Sequence, residues 1–110
     1  KKQITLVYIY YFFAWKLGGV MAIIVAGRLM IKPTYREEFL LQSCEAILKA
    51  RANESCIAFS VCAASIEPNR VNIFELWHSK QSLNAFRQAG NNQAIFNLVE
   101  SFSVNEYEVT

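Results

Sequence analysis

The chain has one histidine, His78, and no block of basic residues among its 110 positions. Only this histidine is available to join a metal site, and none of the three cysteines forms the Cys-x-x-Cys motif that is typical of zinc ligands. A net charge of only +2 also lacks the clustered positive charge that nucleic-acid binding requires. The sequence therefore predicts no metal site and no nucleic-acid partner.

Cysteines are few and odd in number. Cys44, Cys56 and Cys62 cannot all pair within one chain. Disulfides are rare in reducing compartments, so the simplest interpretation is a cytoplasmic protein with reduced, mostly buried thiols. An intermolecular disulfide is the alternative.

No apolar run is long enough to span a bilayer. The longest, Ile4 to Trp15, has about twelve residues where about twenty are needed. Together with Lys1 and Lys2 it looks like the start of a signal peptide, but no small-x-small cleavage site follows. We predict that residues 1–20 are an apolar N-terminal extension of a domain at 21–110, without a membrane partner. Its β-branched and aromatic residues weakly favour a strand.

The first half of that domain reads as a strand and a helix. Residues 21–31 have two largely apolar faces, which is typical of a central strand, and Pro33 ends it. Thr34-x-x-Glu37 matches a capping box and predicts a helix to about Ala52. The predicted buried stripe of this helix comprises Leu40, Cys44, Ile47, Leu48 and Arg51.

The second half contains a hairpin, helices and a last strand. Alternating residues predict strands at 57–62 and 71–77, joined by a turn at Glu67-Pro68-Asn69-Arg70. Ser79 is a suitable N-cap for a helix that ends at Gly90. Asn91 or Asn92 would cap a further short helix. The apolar phase of the final strand slips near residues 105–106, which predicts a bulge.

This element order indicates an α+β fold of the ferredoxin-like, split β-α-β type. Its four-stranded antiparallel sheet would carry helices on one face only. The other face, with Ala22, Ile24 and Ala26, is apolar and would need cover. The expected partner is a second copy of the chain, forming a homodimer through the sheet face.

Five short motifs follow one another along the chain: Lys32-Pro33, Arg36-Glu37-Glu38-Phe39, Ser55-Cys56-Ile57-Ala58-Phe59, the Glu67-Pro68-Asn69-Arg70 turn and Glu75-x-Trp77. In this order they resemble the antibiotic biosynthesis monooxygenase family. The resemblance covers about Met21 to Thr110. It implies a dimeric α/β barrel, in which two sheets face each other and each subunit has a small pocket between its sheet and helices.

The resemblance also implies a chemistry. It suggests a cofactor-independent monooxygenase acting on a small aromatic or quinol-type substrate in an apolar pocket. The alternative is a non-catalytic dimer for ligand binding or assembly, because the helix after the third strand lacks the histidine that many members carry. Where the haem-degrading branch has Asn, Trp and His, this chain has Gly27, Phe86 and Phe96, so we predict no haem binding.

Four residues are candidates for the substrate pocket, and no catalytic residue is assigned. Trp77 and Phe86 would form its aromatic walls, and Asn91 would be a polar contact. Glu75 would orient a hydroxyl or hold a proton. The structural alternatives are a core position for Trp77, helix capping for Asn91 and an ion pair between Glu75 and Arg28. Tyr35 and Arg87 are further candidates, as gate residues.

Overall fold

The computed structural model describes residues 2–4, 22–90 and 93–109. The elements in this part of the chain are β1 (Lys2–Ile4), β2 (Ala22–Ile31), α1 (Arg36–Arg51), β3 (Cys56–Ala63), β4 (Arg70–Trp77), α2 (Lys80–Ala89), α3 (Gln93–Phe96) and β5 (Val99–Val109). Most of the predicted extension and both asparagines of the expected α3 cap lie outside the described residues.

The sheet has the predicted antiparallel core in the order β5-β2-β4-β3. Each half contributes one central and one outer strand, so the split β-α-β arrangement is confirmed. The short strand β1 is an addition, because it pairs in parallel with the end of β5. The first residues of the predicted extension are therefore part of the sheet.

The helices lie on one face of the sheet, which we call the helix face. Ala50 of α1 and Leu83 of α2 share one buried cluster with Ile23, Val25 and Trp77. A second cluster joins Ile95 of α3 to the other end of the same face. The opposite side, the open face, carries Ala22, Ile24 and Ala26.

Helix α1 has its predicted length but not its predicted start or orientation. Thr34 has a positive φ of 70°, and Tyr35 is the N-cap without a side-chain hydrogen bond, so the expected capping box is wrong. The side chain of Arg36 instead reaches the carbonyl oxygen of Glu67 at 2.9 Å. This contact ties the start of α1 to the β3–β4 turn.

The buried side of α1 is rotated by about one residue from the predicted stripe. Phe39, Ser43 and Ala50 are buried, whereas Leu48 is 68% exposed. Ser43 can occupy this position because its hydroxyl donates to the Phe39 carbonyl oxygen at 2.8 Å. The predicted stripe was based on apolar residues alone. It therefore missed Ser43, a polar residue whose hydrogen bond within its own helix allows it to be buried.

The predicted bulge at residues 105–106 is also wrong. Pairing between β5 and β2 is unbroken from Ser101 to Val109, and the irregularity lies between Met30 and Ile31. The phase slips because Tyr107 packs on the open face whereas Val104 packs on the helix face. Of the two polar residues between them, Asn105 lies opposite Ala26 on the open face and Glu106 lies opposite Val25 on the helix face.

Two of the three thiols are not buried. Cys44 and Cys62 are exposed and Cys56 is partly buried, which corrects the expectation of mostly buried cysteines. Cys44 lies on the outer side of the rotated helix α1. Cys62 lies opposite Asn72 on the open face, near the end of β3.

Candidate active site

Strand β4 places two of the predicted site residues side by side on the helix face. Glu75 lies opposite Val25 of β2, and Trp77 lies opposite Ile23. The indole Nε1 of Trp77 donates a hydrogen bond to Glu75 Oε1 at 2.9 Å. Trp77 is fully buried, so this bond fixes the carboxyl against a rigid ring.

An aromatic cluster surrounds this pair. The ring of Phe86, on α2, lies 5.2 Å from that of Trp77 and 5.9 Å from that of Phe59, on β3. Phe59 and Trp77 meet edge to face at 6.5 Å. Helix α2 is held in position by its predicted N-cap, since Ser79 Oγ accepts from the backbone N–H of Ser82 at 3.1 Å.

The environment of Glu75 favours its protonated form. Burial is the main cause that raises the pKa of this carboxyl above its ordinary value. The Trp77 hydrogen bond and the positive charge of Arg87 lower the pKa in part, while the negative charge of Glu106 raises it further. Glu75 is therefore a carboxyl that keeps its proton to a higher pH than usual.

A second carboxyl on the same face behaves in the opposite way. Glu106 of β5 forms ion pairs with Lys80 and Arg87, both on α2. Arg87 Nη1 donates to Glu106 Oε2 at 2.8 Å, and Lys80 binds the other oxygen. The hydrogen bond from Lys80, followed by that from Arg87, lowers the pKa of Glu106.

The two carboxyls are close because of the sheet register. Val25 pairs with Glu75 on one side and with Glu106 on the other, so the three residues form one row across β4, β2 and β5. Two strand spacings separate the carboxyl-bearing backbones by about 10 Å. A pair of acids with pKa values displaced in opposite directions is a typical arrangement for proton transfer.

The structure brings together three of the four predicted pocket residues: Glu75, Trp77 and Phe86. The fourth, Asn91, lies outside the described residues. Sequence reasoning missed the role of Glu106. The signal was present, because a charged residue interrupts the apolar pattern of β5, but it was interpreted as a bulge.

The predicted ion pair between Glu75 and Arg28 is wrong. Arg28 lies opposite Asn72 and Ser103 and is exposed on the open face. Glu75 points to the helix face, three pairs further along the ladder. Side chains alternate between the two faces along a strand. Three pairs is an odd number, so Arg28 and Glu75 lie on opposite faces of the sheet.

Cys56 is the nearest thiol to this site. It lies opposite Trp77 in the pairing of β3 with β4. Burial, and then the negative charge of Glu75, raise the pKa of this thiol. Since the thiolate is the reactive form, Cys56 is poorly suited to act as a nucleophile.

Gly27 is the residue that the family resemblance aligns with the asparagine of the haem-degrading branch. Its φ is +156°, and an added Cβ would overlap the carbonyl oxygen of Ser103 and lie 2.7 Å from Val104 Cα. The backbone of β5 thus occupies the space that a side chain would need. Within the described part of the chain, no three metal-ligating side chains gather into a site either.

A comparison with protein families identifies a family for most of the chain. The model of the antibiotic biosynthesis monooxygenase family matches residues 22–98. This range includes β2, both longer helices and the Glu75–Trp77 pair. The sheet and the aromatic cluster described above thus fall largely within the matched region.

Known relatives share the fold more than the sequence. An uncharacterized protein of Synechocystis is 34% identical over 67 residues, which is 61% of this chain and only 46% of that protein. The chain thus spans about half the length of this curated relative. A conserved protein from Methanosarcina mazei has a TM-score of 0.70 at 22% identity, covering 80% of this chain and 92% of its own. A Caulobacter crescentus protein, assigned by name to the antibiotic biosynthesis monooxygenases, has a TM-score of 0.64 at 19% identity, covering 78% and 86%.

Of the helices in the described ranges, none combines the length and the apolar character needed to cross a bilayer.

Proposed function

Because the chain belongs to the antibiotic biosynthesis monooxygenase family, we propose that it is a cofactor-independent monooxygenase for a small phenol or quinol-type aromatic. The observation that carries this proposal is the Glu75 carboxyl. It is partly buried, hydrogen-bonded to Trp77 and has a raised pKa. A general base for a phenol is most effective when its pKa approaches the working pH.

The proposed reaction converts a phenol and one O2 to a quinone and one water. The Glu75 carboxylate takes the phenol proton, and the phenolate passes one electron to O2. Superoxide and the phenoxyl radical then combine by a new C–O bond at the para carbon. Loss of the para C–H proton and cleavage of the O–O bond give the second carbonyl, and the two protons leave with the departing oxygen as water.

The aromatic residues have different roles in this proposal. Trp77 is fully buried in the free chain, so it acts as a positioning residue for Glu75. Phe86 is only partly buried and packs against the same cluster, which makes it the ring that a planar substrate would contact. The role of Asn91 as a polar contact remains a prediction from the sequence.

Dimerisation through the open face is part of the proposal. Ala22 and Ile24 are already buried in the single chain, at 1% and 5% exposure. A partner would therefore contact the residues beyond them, where Ala26 lies opposite the 42% exposed Phe74. Cytoplasmic localisation and the absence of nucleic-acid and membrane partners remain predictions from the sequence.

A second function, a non-catalytic dimer for small-ligand binding or assembly, is favoured by one observation. The single histidine of the sequence, His78, comes before the N-cap Ser79, so α2 itself contains no histidine. Such a protein would hold an aromatic ligand against Phe86 without transferring its proton.

Oxygen uptake with a panel of phenols and quinols separates the two functions. We expect one O2 consumed per quinone formed, without hydrogen peroxide. Glu75→Gln should lower the rate about 100-fold, the scale of losing a general base. Glu100→Gln, at an exposed carboxylate of β5, is the matched control and should retain the rate. Saturable binding without oxygen uptake would contradict the oxygenase and support the binding dimer.

A further inference from the structure

Helix α2 presents two positive side chains to one carboxylate. Lys80 and Arg87 are seven residues apart, two helical turns, and therefore lie on the same side of the helix. Each binds a different oxygen of Glu106. Lysine in a first turn opposes the helix dipole, so the contact with Glu106 offsets an otherwise unfavourable position.

Arg87 has bonding capacity that Glu106 does not use. Its bond to Glu106 comes from Nη1, while a guanidinium carries five N–H donors in a fixed plane. Its positive charge also acts on Glu75, the other acid in the row through Val25. Arg87 is therefore the cation of this pair that bonds to one carboxyl of the row and acts through its charge on the other.

We propose that Arg87 is a positioning residue shared by the two acids, held in place by Glu106 so that its charge controls the protonation of Glu75. This inference rests on the proposed function, since it concerns how the base of that site is tuned. While Glu106 binds Arg87, the positive charge of Arg87 offsets only part of the effect of burial on Glu75. Glu75 therefore retains a raised affinity for a proton. Weakening the Glu106 contact makes Arg87 more available to the Glu75 carboxylate.

The charged groups around Glu75 are few enough to test one by one. Arg87 on α2 and Glu106 on β5 act on Glu75 through their charges, and Cys56 on β3 is in turn affected by Glu75. One step further away, Lys80 on α2 binds Glu106, and Arg51 at the end of α1 acts on Cys56. Arg51 is engaged elsewhere, because its guanidinium donates twice to the Phe59 carbonyl oxygen, at 2.9 and 3.1 Å.

The test is a carboxyl titration by NMR on the full chain labelled with 13C at glutamate side chains, with Glu75→Gln assigning the signal. Neither substrate nor oxygen is present, so the result is independent of turnover. Arg87→Gln should raise the pKa of Glu75, and Arg87→Lys should restore most of the difference. Glu106→Gln should lower the pKa of Glu75, because a negative neighbour is lost and Arg87 is released.

Lys80→Gln is the matched control. It removes the same charge from the same helix and the same partner, yet should leave the pKa of Glu75 close to that of the parent chain. An unchanged or lowered pKa in Arg87→Gln would overturn the proposal. So would a rise of equal size in Lys80→Gln, since the effect would then reflect net charge and not the position of Arg87.

The Glu106→Gln variant keeps the proposal testable if Arg87→Gln does not fold. A raised or unchanged pKa of Glu75 in that variant would also overturn the inference. Absence of oxygen uptake in the parent chain as well as in every variant, together with the expected titrations, would contradict the oxygenase and leave the coupling intact. The two failures are therefore distinguishable.

Discussion

The two faces of the sheet are built from the same strands but differ in what they bury. On the helix face, β4 contributes Trp77, which is fully enclosed, and Glu75, whose proton affinity is altered by that enclosure. On the open face, the same strand contributes Phe74, which is 42% exposed, and Asn72, which is exposed. Alternation along one strand thus separates a site suited to chemistry from a surface suited to assembly.

The contrast is sharpest in the aromatic residues of β4, and replacing each by alanine gives the largest expected difference. Trp77→Ala should destabilise the fold by about 3–5 kcal/mol, the usual cost of deleting a buried aromatic. Phe74→Ala should cost less than about 1 kcal/mol in the monomer, because its ring is already partly in water. Urea unfolding of both variants at low protein concentration measures the difference. Equal losses would mean that both faces are equally buried.

Neighbouring residues of β2 give a second matched pair. Gly27→Ala should destabilise by about 1–3 kcal/mol, because the positive φ and the carbonyl oxygen of Ser103 leave no room for a Cβ. Ala26→Gly, one residue away on the open face, should cost about 0.5–1 kcal/mol through added backbone freedom. Thermal melts of the two variants test this ranking, and a stabilised Gly27→Ala would show that the strand can shift.

Assembly should depend on the open face alone. Phe74→Glu places a charge opposite Ala26 and should shift a homodimer toward monomer at micromolar concentration. Phe102→Glu is the control, because Phe102 is 71% exposed and lies on the helix-face side of β5, opposite Leu29. Light scattering should find it still dimeric. A parent chain that is monomeric at the same concentration would rule out the dimer itself.

Replacing each of the two carboxyls, Glu75 and Glu106, by glutamine should give the smallest changes in stability. The two changes should depend on pH in opposite directions. Because the pKa of Glu75 is raised in the folded state, the folded protein holds this proton more tightly than the unfolded chain does. The free energy of unfolding should therefore fall as the pH rises from the ordinary glutamate pKa through the folded-state pKa. Glu75→Gln should therefore be more stable than the parent at neutral pH, with the gain disappearing in acid.

The lowered pKa of Glu106 has the reverse consequence. Its contribution is present above the ordinary glutamate value and is lost as the pH falls through the folded-state pKa. Glu106→Gln should have a lower melting temperature than the parent chain at neutral pH and the same melting temperature in acid. Melting curves across pH measure both variants, with shifts below about 5 °C. Slopes of the same sign would contradict the assigned environments.

Much of the fold could be read from local patterns. Ser79 caps α2 as predicted, α2 ends before Gly90, and the Glu67-Pro68-Asn69-Arg70 turn joins β3 to β4. The strand order of the antiparallel core also follows from the element order and the family resemblance. The cap, the helix end and the turn depend on residues within a few positions of one another, so the sequence records them directly.

The sequence by itself determined that Glu75 and Trp77 share a face, because residues two apart in a strand always do. It did not determine which face, nor that Val25 and Glu106 complete the row while Arg28 lies on the other side of the sheet. Those outcomes depend on strand register and on the rotation of α1 and α2, which are decided by the packing of residues far apart in the chain. The proton affinity of Glu75 is a product of that packing, because burial and charge at this site come from α2, β3 and β5 together.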